Sequence, residues 1–162
     1  MIAGLSIDNF TNLHVAISLV GIVSGLIVLA GMLRARRLPG WTALFLVTTI
    51  LTSVTGFMFP ISGLTPGIVS GLISIVILVI ALNALYVKHL AGAWRWIYVT
   101  TALIALYLNV FVLIVQSFQK VPALQKLAPT QSEPLFSVTQ GVVLVPFLIL
   151  GIMAARRFRP TP

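Results

Sequence analysis

An all-α, polytopic bundle of five transmembrane helices, with its N-terminus outside and its C-terminus in the cytoplasm, is the fold this sequence predicts. Three observations predict it. Of the 162 residues, 59% are hydrophobic and only 7% charged, with a mean hydropathy of +1.14. Soluble proteins carry about a quarter charged residues, so this chain cannot cover a soluble surface. Five continuously apolar stretches approach the roughly 20 residues that a helix needs to cross a bilayer core. They do not alternate, which excludes a β-barrel. The basic residues, finally, fall in clusters between or after those stretches.

Taken in order, the spans lie roughly at Thr11–Leu33, Trp41–Pro60, Gly67–Val87, Trp96–Phe118 and Leu135–Ala155, within one domain over residues 1–162. Residues 1–10 hold no Lys or Arg, and the apolar run after them is too long for a signal-peptide core, so the first span is expected to stay in place. Arg34-Ala35-Arg36-Arg37-Leu38-Pro39-Gly40 breaks the first span from the second. Pro60 and Ser62-Gly63-Leu64-Thr65-Pro66 turn the chain into the third, and Lys88 to Arg95 link the third to the fourth. The one long loop, 119–134, is expected to carry a short helix on the bilayer surface at Val121–Ala128, with Ser132 as N-cap of the last span. Pro146 removes a backbone donor from that span and is expected to kink it, freeing the Val142 carbonyl.

With five spans, Arg34, Arg36, Arg37, Lys88, Arg95, Arg156, Arg157 and Arg159 share one side, while Lys120, Lys126, Asp8 and Glu133 share the other. Basic residues concentrate on the cytoplasmic side, which sets the orientation. Trp41, Trp94 and Trp96 edge that same side as headgroup anchors, and Phe10, Phe59, Phe118 and Phe136 edge the opposite one. The net charge of +8 therefore reads as topology and contact with anionic lipid. No nucleic-acid partner is expected, since no binding motif accompanies it.

Lipid is as apolar as leucine, so helices associate through close packing and interhelical hydrogen bonds. Gly21 and Gly25 in the first span, and Gly67 and Gly71 in the third, have the spacing for close helix contact, either within the chain or between copies. The second span adds Thr48, Thr52 and Thr55, with Thr49, Ser53 and Gly56 beside them.

Polar groups also collect towards the outer half. His14, Ser18, Thr55, Ser70, Asn109, Gln116 and Gln140 form the candidate ligand-binding set, with contributions expected from all five spans. An imidazole, carboxamides and hydroxyls suit a lipid or quinone headgroup or a small polar solute. Interhelical hydrogen bonding without a ligand is the simpler account of the same residues. No catalytic residue, metal site or cofactor is expected. The chain has no cysteine, two histidines at opposite faces, and only two acids, both in outer loops.

Leu13-His14-Val15-Ala16-Ile17-Ser18-Leu19, Thr55-Gly56-Phe57-Met58-Phe59-Pro60 and Ala128-Pro129-Thr130-Gln131-Ser132-Glu133-Pro134 resemble segments of small bacterial inner-membrane proteins. The resemblance covers most of the chain and implies a bacterial inner membrane, but no activity. The leading expectation is a non-enzymatic protein that binds a partner subunit or a small amphiphile near the outer leaflet. A homo-oligomeric channel or transporter is the alternative, followed by a haem- or quinone-linked redox protein using His14. Membrane lipids are the expected partners, with a homo-oligomer or a larger membrane complex beside them.

Overall fold

Local chemistry at each helix end explains where the elements begin and stop. The computed structural model describes residues 1–60 and 63–159. Helix α1 spans Ile7–Leu33 and starts before Thr11 because the Ser6 hydroxyl caps the Asn9 N–H at 3.2 Å. It stops in a Schellman turn. Ala35 adopts a left-handed conformation at φ 54°, and the Arg36 N–H returns to the Gly31 carbonyl at 2.9 Å.

Helix α2 spans Pro39–Phe57, with proline at its first position and its end short of Pro60. Helix α3 spans Pro66–Leu82, and Thr65 caps the Ile68 N–H at 3.3 Å. Ser62, part of the expected turn before it, lies outside the described residues, as does Pro162. Residues Asn83–Val87 continue α3 as one π-helical turn, which uniform apolar patterning does not signal.

Helix α4 spans Trp94–Lys120, α5 Pro122–Leu127 and α6 Pro134–Arg157. The short helix expected in the long loop is present as α5. The expected N-cap Ser132 is not: Glu133 holds that position, without a side-chain cap bond, and its carboxylate turns back to accept from the Thr130 N–H and hydroxyl. Helix α6 runs on through Pro146. Helices α1, α2, α3 with its π turn, α4 and α6 are each long and apolar enough to cross a membrane.

Helices α1 to α4 follow one another around a ring, with α4 closing on α1, while α6 packs outside against α4 and α1. The two ends of this ring differ. The end carrying Arg34, Lys88 and Arg156 (the basic end) holds the main buried cluster, including Met32, Phe45, Leu78, Val99, Leu106 and Phe158. Three glycines of α1 and α3 lie close against neighbouring helices. A Cβ on Gly25 would sit 2.6 Å from Leu106 and 2.9 Å from the Phe45 ring, and one on Gly21 3.2 Å from the Thr48 hydroxyl. Gly71 makes room for the Phe57 ring, 3.0 Å from a built Cβ. Gly67 is not at such a close contact: a Cβ there finds nothing nearer than 3.8 Å.

The phenylalanines at the opposite end also depart from their expected role as anchors. Phe10 and Phe118 are buried, and they pair edge-to-face with Phe59 and Phe136 at 5.1 and 5.4 Å. Such pairs gain from ring electrostatics as well as packing, so these rings tie α1 to the end of α2, and α4 to α6. At the basic end, Trp41 and Trp96 are exposed, and Lys88 Nζ lies 5.5 Å over the Trp94 ring.

Candidate functional site

Opposite the basic end, the four-helix ring opens into a cavity of about 330 Å³. Each wall follows from helical periodicity. Thr11, His14 and Ser18 line it from α1, Ser53 and Gly56 from α2, Gly67, Ser70 and Ser74 from α3, and Asn109, Gln116 and Lys120 from α4. Spacings of three, four and seven residues put each set on one helix face. Val15, Leu19, Ile68 and Val112 supply apolar surface between the polar groups.

The floor is the Asn109 carboxamide, whose Nδ2 donates to the buried Thr49 hydroxyl at 3.1 Å. Below it, Gly21 and Gly25 let α1 close on α2 and α4, and the buried cluster fills the remaining ring. Depth in the sequence therefore becomes a closed end in space.

At the upper wall, His14 Nδ1 lies 2.7 Å from the Thr55 hydroxyl oxygen. That hydroxyl also lies 2.7 Å from the Leu51 carbonyl. When its one proton goes to that carbonyl it accepts at His14, and the neutral imidazole then carries its proton on Nδ1 and leaves Nε2 as a lone pair. The ring is held edge-on against Phe59, with centroids 5.4 Å apart.

Most hydroxyls here are likewise committed. Ser18, Thr52 and Ser53 donate to carbonyls one turn back, at 2.7, 2.8 and 3.1 Å. Ser70 and Ser74 differ: both are buried cavity-wall residues, and among the described residues neither has a hydrogen-bond partner. The Gln116 Oε1 is also buried without a partner. An unpaired buried oxygen is costly, and Gln116 Oε1, like Gln140 Oε1 outside the cavity, calls for an explanation.

The structure thus brings His14, Ser18, Ser70, Asn109 and Gln116 to one cavity, with Thr55 behind His14. It does not bring Gln140. That side chain, on α6, reaches the Phe111 carbonyl at 3.4 Å on the outer side of α4. The expectation of contributions from all five spans is corrected accordingly, because α6 lies outside the ring. Ser74 and Lys120 join the site instead, and Gly67 is a cavity-wall residue. Their signal in the sequence is spacing: Ser74 is one turn beyond Ser70, and Lys120 one turn beyond Gln116.

Comparison with protein-family models, with curated proteins and with solved structures found no match for this chain.

Proposed function

We propose that this chain is a non-enzymatic, multi-pass protein of a bacterial inner membrane that holds the headgroup of a small amphiphile in the α1–α4 cavity. The observation that carries this reading is the unspent hydrogen-bonding capacity inside one cavity. With its proton on Nδ1, His14 Nε2 needs a donor, while the Ser70 and Ser74 hydroxyls and the second Asn109 N–H need acceptors. A quinone carbonyl only accepts and leaves the imidazole unmet. A hydroxyl both donates and accepts, so the matching headgroup carries at least two hydroxyls, as a diol or hydroquinone does. The apolar wall at Val15, Leu19 and Val112 suits the tail. A floor sealed at Asn109 and Gly25 supports a binding site over a conducting pore.

The charge distribution supports an orientation with the cavity at the outer leaflet and the eight basic residues in the cytoplasm. A topology reporter fused to the C-terminus is then expected to be active in its cytoplasmic form. Periplasmic activity of the same fusion would refute that orientation. A partner subunit or second copy would sit on α6, whose Val138, Val142, Val145 and Ile149 are exposed.

Native mass spectrometry of the gently extracted, full-length protein tests the ligand. Wild type is expected to carry a hydroxylated amphiphile of defined mass. His14→Leu and Ser74→Leu should lose it while remaining folded, and Gln140→Leu should keep it. Loss in all three variants, or a wild type with no bound mass, would remove the cavity from consideration.

A further inference from the structure

A second cavity, of about 230 Å³, lies at the basic end and is independent of the first. Two chain reversals build it. The Schellman turn after α1 folds Arg36 back over Gly31, so closely that a Cβ on Gly31 would meet Leu38 at 2.7 Å. The π turn at Asn83–Val87 is followed by His89 and Leu90, both left-handed at φ 48° and 60°. The Leu90 N–H bonds back to the Ala84 carbonyl at 3.0 Å, and its side chain is buried. Left-handed conformations are unfavourable for non-glycine residues, so these reversals persist because the surrounding packing holds them.

The reversals place Arg36, Arg37 and His89 around a pocket whose inner wall is Val28, Met32 and Leu85. Both arginines are exposed, and neither has an acidic partner side chain at this end, because Asp8 and Glu133 are at the other. Two guanidiniums beside an apolar wall match a ligand with an anionic head and a hydrocarbon tail. Their forked donors suit phosphate oxygens in particular.

We infer that this pocket receives the phosphate-bearing headgroup of an anionic amphiphile, with Arg36 and Arg37 on the phosphate and the first methylenes along Met32 and Leu85. It is thus a defined lipid site within the general attraction of a basic surface for anionic lipid.

The test titrates the full-length protein in a neutral detergent with short-chain phosphatidylglycerol, short-chain phosphatidylcholine and inorganic phosphate. Fluorescence of Trp41, Trp94 and Trp96 reports binding, since all three lie at this end. Phosphatidylglycerol is expected to saturate about tenfold tighter than phosphatidylcholine, given the worth of one basic residue or more at a lipid surface. The Arg36→Gln/Arg37→Gln variant should lose that difference, and Arg156→Gln/Arg157→Gln, with the same net charge, should keep it. Should the glutamine pair disturb insertion, Arg36→Lys/Arg37→Lys retains the charge and is still expected to bind severalfold more weakly, for want of the forked geometry. Equal loss in the Arg156/Arg157 variant would reduce the effect to bulk charge and overturn the site. Inorganic phosphate binding as tightly as the lipid would overturn the amphiphile and leave a free-anion site.

Discussion

Gly25→Leu is expected to destabilise the protein by about 1–3 kcal/mol, the range for an overpacked core. Even the first carbon is too much: a Cβ at Gly25 lies 2.6 Å from Leu106 and 2.9 Å from Phe45. Side-chain tips often swing aside, but both of these residues are 1% exposed and have nowhere to go. Gly25→Ala should therefore also lose stability, although alanine is the better helix former. Gly67→Ala should reverse the sign and gain up to about 1 kcal/mol, because its Cβ meets only ordinary van der Waals neighbours, Thr65 at 3.8 Å and Val112 at 4.0 Å, and restrains the unfolded chain. Thermal melting in detergent compares the three. Equal melting temperatures for the two alanine variants would show that α1 is not seated on Phe45 and Leu106.

Arg95→Leu is expected to free the C-terminal turn of α6. The Arg95 guanidinium, from the start of α4, donates through Nη1 to both the Ala155 and Phe158 carbonyls. The last carbonyls of a helix have no partners of their own, and a cation there also opposes the helix dipole. Hydrogen bonds to a charged group are worth about 1.5–3 kcal/mol, and the leucine variant forfeits both. The loss falls at the main anchor of α6, since Ala154 is its single buried residue in the helix and Phe158 is buried just beyond. Amide hydrogen exchange should rise at residues 154–158 in Arg95→Leu, and less in Arg95→Lys, which keeps a charge but not the planar fork. Unchanged exchange in the leucine variant would show that the last turn of α6 is held by packing alone.

Helix ends are largely legible in the residues that flank them. Pro39, Pro66, Pro122 and Pro134 each open a helix, and Thr65 caps one, because these are local effects of a missing N–H or a nearby hydroxyl. Ser132 and Glu133 show the limit of that local reading. Both can stand at an N-cap, and Thr130 makes the choice, since its N–H and hydroxyl draw the Glu133 carboxylate back into the loop. The π turn at Asn83–Val87 is equally hidden, since apolar residues suit α and π backbones alike.

The all-helical class, the number of long apolar helices and the depth of each polar residue along its helix are all written in the order of residues. These are one-dimensional properties: a hydrocarbon core demands a minimum length of internally hydrogen-bonded backbone, and rise per residue converts position to depth. Rotation about the helix axis is not written there. In a soluble helix the polar face marks solvent, but these helices are apolar nearly all round, and lipid-facing and protein-facing surfaces read alike. Only packing decides that Gln140 looks away from the cavity that Gln116 enters, that Gly25 is crowded while Gly67 is free, and that Phe10 and Phe118 turn inward. The close seating of Gly21 and Gly25 of α1 against side chains of α2 and α4 fixes those helices against one another, and with them which polar groups at one depth come to share one cavity.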